Sequence, residues 1–223
     1  MTPGERVQAV VDRVLAKLDR TRLAEIAARY EVATSGPSAT KYLDAERWIR
    51  VCARRAVALD LDRCEPLRVL DLGTGAGYFP LVCRRLGHYV AATDWSGRDA
   101  LYREVTEAIG VDVSDVDVRP NTTLLPYPTP GGYELITAYM VTFNGHASAP
   151  WGADEWAFFL DDALYRLSPG GRLVLELNRE PDGTCYTPEV GALFRERGGV
   201  FTRRWPAVPH AGGHRLVFVN RPS

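Results

Sequence analysis

Residues 67–77 read Leu-Arg-Val-Leu-Asp-Leu-Gly-Thr-Gly-Ala-Gly, an apolar run that passes directly into a glycine-rich turn. Glycines at alternate positions let the backbone approach a ligand closely, because no Cβ atoms stand in the way. A helix is predicted to follow, and its first N–H groups have no partner within the helix. This stretch therefore predicts a sheet of the α/β class that holds a nucleoside-type cofactor beyond the end of its first strand.

The chain beyond residue 60 alternates short β-type runs with amphipathic stretches, a pattern typical of a parallel sheet covered by helices. Asp99 lies three residues after Ser96, and Ser96 is predicted to cap the second of these helices. Two closing β-type runs follow a helix that begins near Thr187. Strands are predicted at 67–72, 89–93, 116–119, 135–139, 172–177, 200–205 and 215–220, with helices at 79–86, 97–109 and 155–167. The predicted fold class is α/β: a Rossmann-like, mostly parallel seven-stranded sheet with an antiparallel terminal hairpin and helices on both faces.

The first 60 residues have a helical pattern throughout. Apolar residues recur three and four apart from Val7 to Leu18, and Thr2 with Glu5 forms a capping box ahead of them. Two further helices are predicted, one near residues 23–30 and one over 40–59. We therefore expect an N-terminal helical extension over residues 1–60 and a cofactor-binding domain over residues 61–223.

Composition excludes several classes of partner. The 27 Lys and Arg residues nearly balance the 28 Asp and Glu residues, so no overall field attracts nucleic acid or an anionic membrane. The chain has no long apolar run and no signal-like start, which predicts a cytoplasmic protein without a membrane segment. The four cysteines lie far apart, which argues against a structural zinc site. A small-molecule substrate and a monomer or homodimer are expected.

Asp94 follows the glycine turn by about twenty residues and ends the second predicted strand, where a carboxylate can accept bonds from both ribose hydroxyls. Two cofactor classes share this layout. The dinucleotide motif requires a third small residue at the position that Tyr78 occupies, and tyrosine is too large for close packing of helix on strand. The spacing therefore weakens the interpretation as an NAD(P)-dependent oxidoreductase.

The remaining pattern, Gly-x-Gly-x-Gly with Asp71 two places before the first glycine, resembles the first motif of class I S-adenosylmethionine-dependent methyltransferases. The resemblance extends over about residues 68–178 in the family's order. Residues 121–126, Asn-Thr-Thr-Leu-Leu-Pro, are similar to the loop after the third strand, and residues 133–136 and 167–173 to the fourth strand and the turn into the fifth. Where the family commonly has an adenine-binding aspartate, this chain has Asn121, whose amide oxygen can still accept a bond. An ordinary turn role for Asn121 stays open.

The resemblance implies S-adenosyl-L-methionine as the cofactor and a set of residues around it. These residues are Asp71, Gly73, Thr74, Gly75, Gly77, Asp94, Trp95, Asn121, Thr122 and Tyr139. Tyr139 stands where metal-dependent relatives place an aspartate, so no metal is expected. The segment 138–141 also lacks the proline-containing signature of nucleic-acid amine methyltransferases.

Candidates for the substrate side come from two segments. In the loop after the fourth strand, His146 has a suitable intrinsic pKa for a general base, although an ordinary surface histidine is an equal alternative. Asn144 is a substrate candidate in the same loop, and Glu176 and Asn178 end the fifth strand nearby. In the N-terminal extension the polar and aromatic substrate candidates are Tyr30, Lys41, Tyr42 and Trp48.

These observations together predict methyl transfer from S-adenosylmethionine to an oxygen or nitrogen of a small metabolite, with natural-product tailoring as the setting. Two alternatives stay open: an NAD(P)-dependent oxidoreductase and a non-methylating protein that binds S-adenosylmethionine.

Overall fold

The computed structural model describes residues 1–33, 40–123, 131–141, 143, 151–178, 184–202 and 215–220. Its helices are α1 (Pro3–Leu15), α2 (Arg20–Ala33), α3 (Ala45–Ala58), α4 (Tyr78–Leu86), α5 (Ala100–Ala108), α6 (Ala153–Arg166) and α7 (Pro188–Glu196), with a 3₁₀ turn at Lys41–Leu43. Its strands are β1 (Arg68–Leu72), β2 (Tyr89–Asp94), β3 (Val113–Asp115), β4 (Tyr133–Tyr139), β5 (Leu167–Glu176), β6 (Val200–Thr202) and β7 (Arg215–Val219).

The strands follow the order β3-β2-β1-β4-β5-β7-β6 in a seven-stranded sheet. Strand β4 pairs parallel with both β1 and β5, whereas β7 pairs antiparallel with both β5 and β6. The predicted fold class, a mostly parallel sheet closed by an antiparallel hairpin, is confirmed.

Two local predictions are wrong. The third strand lies at Val113–Asp115 rather than at 116–119, since valines stand in two alternating pairs, at 111 and 113 and at 116 and 118, and the pattern does not distinguish which pair joins the sheet. Helix α5 begins after Asp99, whose carboxylate accepts a hydrogen bond from the Leu101 N–H at 2.8 Å. Ser96 is not the cap, because residues 95–98 form a turn closed by the Arg98 N–H and the Trp95 carbonyl at 3.0 Å.

Residues 1–66 and 74–114 form one compact unit. The predicted capping box is present, with the Glu5 carboxylate accepting from the Thr2 N–H at 2.7 Å and the Thr2 hydroxyl oxygen accepting from the Glu5 N–H at 3.3 Å. The buried valine face of α1 packs on α3, α3 packs on α4, and α2 packs on α5. The N-terminal helices therefore share a core with the segment that follows the glycine turn.

Residues 67–73 and 115–223 form the second unit. Here the sheet register places Asp71 beside Thr137, Tyr139 beside Glu176, and Glu176 beside Arg215. Phe194 of α7 contacts Phe218 of β7 and a tryptophan of α6 through ring edges, and all three side chains are buried. Buried apolar area of this kind supplies most of the stability of such a layer.

Candidate cofactor-binding site

The end of strand β1 carries a buried carboxylate and a glycine that admits no side chain. Asp71 is 3 % exposed, and its carboxylate accepts a hydrogen bond from the Thr137 hydroxyl at 2.6 Å. Gly73 has a φ of +61°, and a Cβ atom there would lie 2.6 Å from Cγ2 of Val141. The Val141 side chain therefore packs directly against the backbone of the first glycine of the turn, a contact that only glycine allows.

The first unit contains the rest of the turn and the end of β2. The Thr74 N–H donates to the Thr93 carbonyl at 2.9 Å, and the Gly75 N–H donates to Oδ2 of Asp94 at 2.7 Å. The other carboxylate oxygen of Asp94 accepts from the Trp95 N–H at 2.8 Å. Both oxygens keep a further lone pair for a ligand, because an ionised carboxylate offers about four acceptor positions.

The surroundings of Asp94 shift the pKa of its carboxyl group. Burial raises the pKa of this carboxyl above its ordinary value of 3.8, while the Gly75 and Trp95 N–H groups and the charge of Arg98 act in the opposite direction. Desolvation penalises the ionised form, so a partner that donates hydrogen bonds to the carboxylate is favoured.

Gly77 is the N-cap residue of helix α4, and its backbone is left-handed with a φ of +76°. A Cβ atom at this position would lie 2.9 Å from Cγ2 of Thr106. A glycine cap has no side chain to bond the first N–H groups of α4, and no acidic residue lies in its first turn. The start of α4 is therefore suited to a polar or anionic ligand group.

Trp95 follows directly after Asp94 and is 38 % exposed. Its ring lies over Gly97, where an added Cβ would come within 2.4 Å of it. An exposed indole held flat on backbone at a strand end is a suitable platform for stacking a base.

Three of the four candidates in the N-terminal extension lie together. The Tyr42 ring stacks on Trp48 with centroids 4.5 Å apart, and Lys41 Nζ lies 5.1 Å from the Tyr42 ring centroid. Tyr42 also meets Tyr102 of α5 edge to face, at 5.2 Å. We call Tyr42, Trp48 and Tyr102 the aromatic cluster.

The aromatic cluster borders the glycine turn. A Cβ atom on Gly75 would lie 4.0 Å from the Tyr102 ring, and the buried Tyr78 hydroxyl donates to the Tyr42 carbonyl at 2.8 Å. Burial raises the pKa of Tyr102, with Tyr42 as the next contributor. No sequence pattern indicates a role for Tyr102 in the site, since an aromatic residue on an amphipathic helix usually belongs to the core.

Tyr30, the fourth candidate in the extension, lies on α2 against α5. Its hydroxyl donates to Glu104 at 2.9 Å, and Arg29 forms an ion pair with the same carboxylate. Burial raises the pKa of Tyr30, and the bond to Glu104 adds to the shift. Tyr30 thus holds α2 on α5.

Asn121 and Thr122 occupy an exposed turn in the second unit. Asn121 has a φ of +55°, and the Thr122 N–H donates to the Arg119 carbonyl at 3.2 Å. This geometry agrees with asparagine as a turn former, and its adenine-binding role stays a prediction. Residues 124–126 of the same motif, 203–205 of the predicted sixth strand, Asn144 and His146 lie outside the described residues.

Over the part of the chain that the structure describes, no group of three or more His, Cys, Asp or Glu side chains is arranged to hold a metal ion. Metal independence stays a prediction. None of the helices in the described ranges is long and apolar enough to cross a membrane.

Comparisons with known proteins give a fold and no family. The sequence matches no protein-family model and no curated protein. Among solved structures it is similar to CalS10 of Micromonospora echinaspora, an amino pentose methyltransferase involved in calicheamicin biosynthesis that was solved with S-adenosylmethionine bound (TM-score 0.55, 16 % identity, covering 78 % of this chain and 91 % of that one). It is also similar to a methyltransferase from Pyrococcus furiosus (TM-score 0.51, 18 % identity, covering 77 % and 83 %).

A third similar structure, the S-adenosylmethionine-dependent methyltransferase SibL in its apo form, extends over more of this chain (TM-score 0.52, 16 % identity, covering 97 % of this chain and 74 % of that one). At such low identity the likeness establishes the fold. The chain therefore has the fold of S-adenosylmethionine-dependent methyltransferases.

Proposed function

We propose that this protein binds S-adenosyl-L-methionine and transfers its methyl group to an oxygen or nitrogen of a small metabolite. The observation that carries the proposal is the Asp94 carboxylate, held by the Gly75 and Trp95 N–H groups at the end of β2. A carboxylate in this place, with lone pairs left over, suits the paired hydroxyls of a ribose.

Other residues of the first unit are proposed to contact the remaining parts of the cofactor. Trp95 offers its exposed indole to the adenine, and the start of α4 after Gly77 offers backbone N–H groups to the polar parts of the cofactor. Gly75 presents only backbone, so a ligand can lie close to the chain there.

The second unit supplies charge. Asp71 is a buried carboxylate that accepts a hydrogen bond from the neutral Thr137 hydroxyl, and the cationic ammonium of the cofactor's methionine part would complement its charge. Gly73, Asn121, Thr122 and Tyr139 are the other proposed contacts of this unit. The negative charge of Asp71 would not complement the diphosphate of a dinucleotide, because both groups are anionic. This disfavours the oxidoreductase alternative.

Bound S-adenosylmethionine supplies an electrophilic methyl group on a sulfonium, so this chain's residues need chiefly to align an acceptor with it. The aromatic cluster with Lys41 supports the proposal that the N-terminal extension holds the acceptor, since flat rings and a cation suit a ring-bearing or anionic metabolite. If the acceptor is a phenol, alcohol or amine, His146 is the proposed base. Natural-product chemistry is the proposed setting, in line with the involvement of CalS10 in calicheamicin biosynthesis.

The test is product formation. Protein incubated with S-adenosylmethionine and a panel of phenols, sugars, amines and carboxylic acids should release S-adenosylhomocysteine together with a methylated product in equal amounts, measured by mass spectrometry. Cofactor binding without a methylated product from any class would favour the non-methylating alternative. Reduction of NAD⁺ by a panel member would favour the oxidoreductase.

A further inference from the structure

Met140, directly after strand β4, has a backbone conformation that residues with a side chain rarely adopt. Its φ is +59°, in the left-handed region. Two hydrogen bonds hold the residue from the end of β5: the Met140 N–H donates to the Glu176 carbonyl at 2.7 Å, and the Asn178 amide donates to the Met140 carbonyl at 2.6 Å. Strain of this kind persists only where the surroundings impose it, and it concentrates at functional sites.

The next residue shows what the strained turn achieves. Val141 lies so close to Gly73 that a Cβ atom on the glycine would be 2.6 Å from Cγ2 and 3.2 Å from Cγ1 of the valine. Gly73 is itself left-handed, with a φ of +61°. The direction in which the chain leaves Met140 therefore decides whether the Val141 side chain rests on the first glycine of the turn.

We propose that Asn178 is a positioning residue for the cofactor turn. Its amide holds Met140 in the left-handed conformation, Met140 directs Val141 onto Gly73, and Val141 restrains the backbone of that glycine. Asn178 acts through these residues and touches no reacting atom. The inference rests on the proposed function in one respect, namely that the turn at Gly73 binds S-adenosylmethionine.

The experiment compares Asn178→Ala with a matched control at the other end of the same strand. Asn220 donates its amide to the Leu167 carbonyl at 2.8 Å, so Asn220→Ala also removes an asparagine-to-backbone bond beside β5. By calorimetry, Asn178→Ala should weaken S-adenosylhomocysteine binding about tenfold, the effect of one lost hydrogen bond, and Asn220→Ala should leave binding unchanged. Equal losses in both variants would overturn the proposal, because a general structural effect would explain them.

A second substitution separates positioning from direct contact. Glycine adopts the left-handed region without help, so Met140→Gly in the Asn178→Ala background should restore affinity to within about twofold of the wild type. Failure of that rescue would overturn the proposal, since Asn178 would then act on the ligand itself or on another element.

A readout that needs no ligand keeps this inference distinct from the proposed function. In urea unfolding, Asn178→Ala should lower the midpoint clearly in the wild-type background and much less in the Met140→Gly background. This coupling would support the link between Asn178 and Met140 even if the wild-type protein bound no S-adenosylhomocysteine. That second result would refute the proposed function alone. Identical midpoint shifts in the two backgrounds would overturn that link.

Discussion

Replacing Gly77 with alanine tests the packing at the start of α4. The residue has a φ of +76°, and an added Cβ would meet Cγ2 of Thr106 at 2.9 Å and Cδ1 of Ile109 and Cγ1 of Val111 at 3.4 Å. The left-handed backbone costs about 1–2 kcal/mol for a residue with a Cβ. Overpacking adds about 1–3 kcal/mol, so the free energy of unfolding should fall by about 2–5 kcal/mol.

Thr106 is poorly able to move away, because it is buried and its hydroxyl donates to the Arg103 carbonyl at 2.9 Å. Gly198 provides the matched control, since its φ of +78° is nearly the same and no atom lies within 4 Å of an added Cβ. Gly198→Ala should therefore lower the free energy of unfolding only by the cost of the left-handed backbone, about 1–2 kcal/mol.

Urea unfolding followed by circular dichroism measures both losses. Thr106→Ser in the Gly77→Ala background removes the methyl group that lies too close to the added Cβ. It should recover part of the free energy of unfolding that Gly77→Ala loses beyond Gly198→Ala. Equal destabilisation by the two glycine substitutions, with no recovery from Thr106→Ser, would refute the reasoning.

Three further predictions concern the proposed chemistry. Because burial raises the pKa of Asp94, affinity for S-adenosylhomocysteine should decline as the pH falls through a value above 3.8, and titrations of Asp94→Ala should lack that acid limb. His146→Ala should lower kcat about 10²- to 10⁴-fold for a phenol or alcohol acceptor while cofactor affinity stays constant. An unchanged pH–rate profile in this variant would show that the protein acts only by aligning the acceptor with the methyl group. Turnover should survive EDTA, given Tyr139 at the end of β4, and loss of activity that magnesium restores would contradict this.

The strands that carry the motifs were predictable because each is a distinct apolar run with clear breaks. Strands β1, β2, β4 and β5 fall within a few residues of their predicted positions, apart from the longer start of β5. The position of β3 is not predictable in the same way, because a second alternating valine pair, Val116 and Val118, follows it. Sequence spacing alone likewise does not separate Ser96 from Asp99 as the cap of α5.

The candidate site was only partly predictable. Asp94 and the glycines are set by local order along the chain, so motif and spacing located them. The place of Asn178 at the end of β5 is a local feature, whereas its contact with Met140 and the contact of Tyr102 with Tyr42 are tertiary contacts that no local pattern encodes. A positive φ at Met140 is likewise imposed by hydrogen bonds from β5 rather than by its own preference.

Calorimetric titration with S-adenosylhomocysteine and with NAD⁺ tests the central claim most directly. Wild-type protein should bind S-adenosylhomocysteine and not NAD⁺, and Asp94→Ala should weaken that binding about ten- to a hundredfold, since hydrogen bonds to a charged group contribute about 1.5–3 kcal/mol. Asp99→Ala is the control, because this nearby exposed carboxylate caps α5; the affinity of this variant for S-adenosylhomocysteine should equal that of the wild type. Binding of NAD⁺ in place of S-adenosylhomocysteine, or unchanged affinity in Asp94→Ala, would contradict the account.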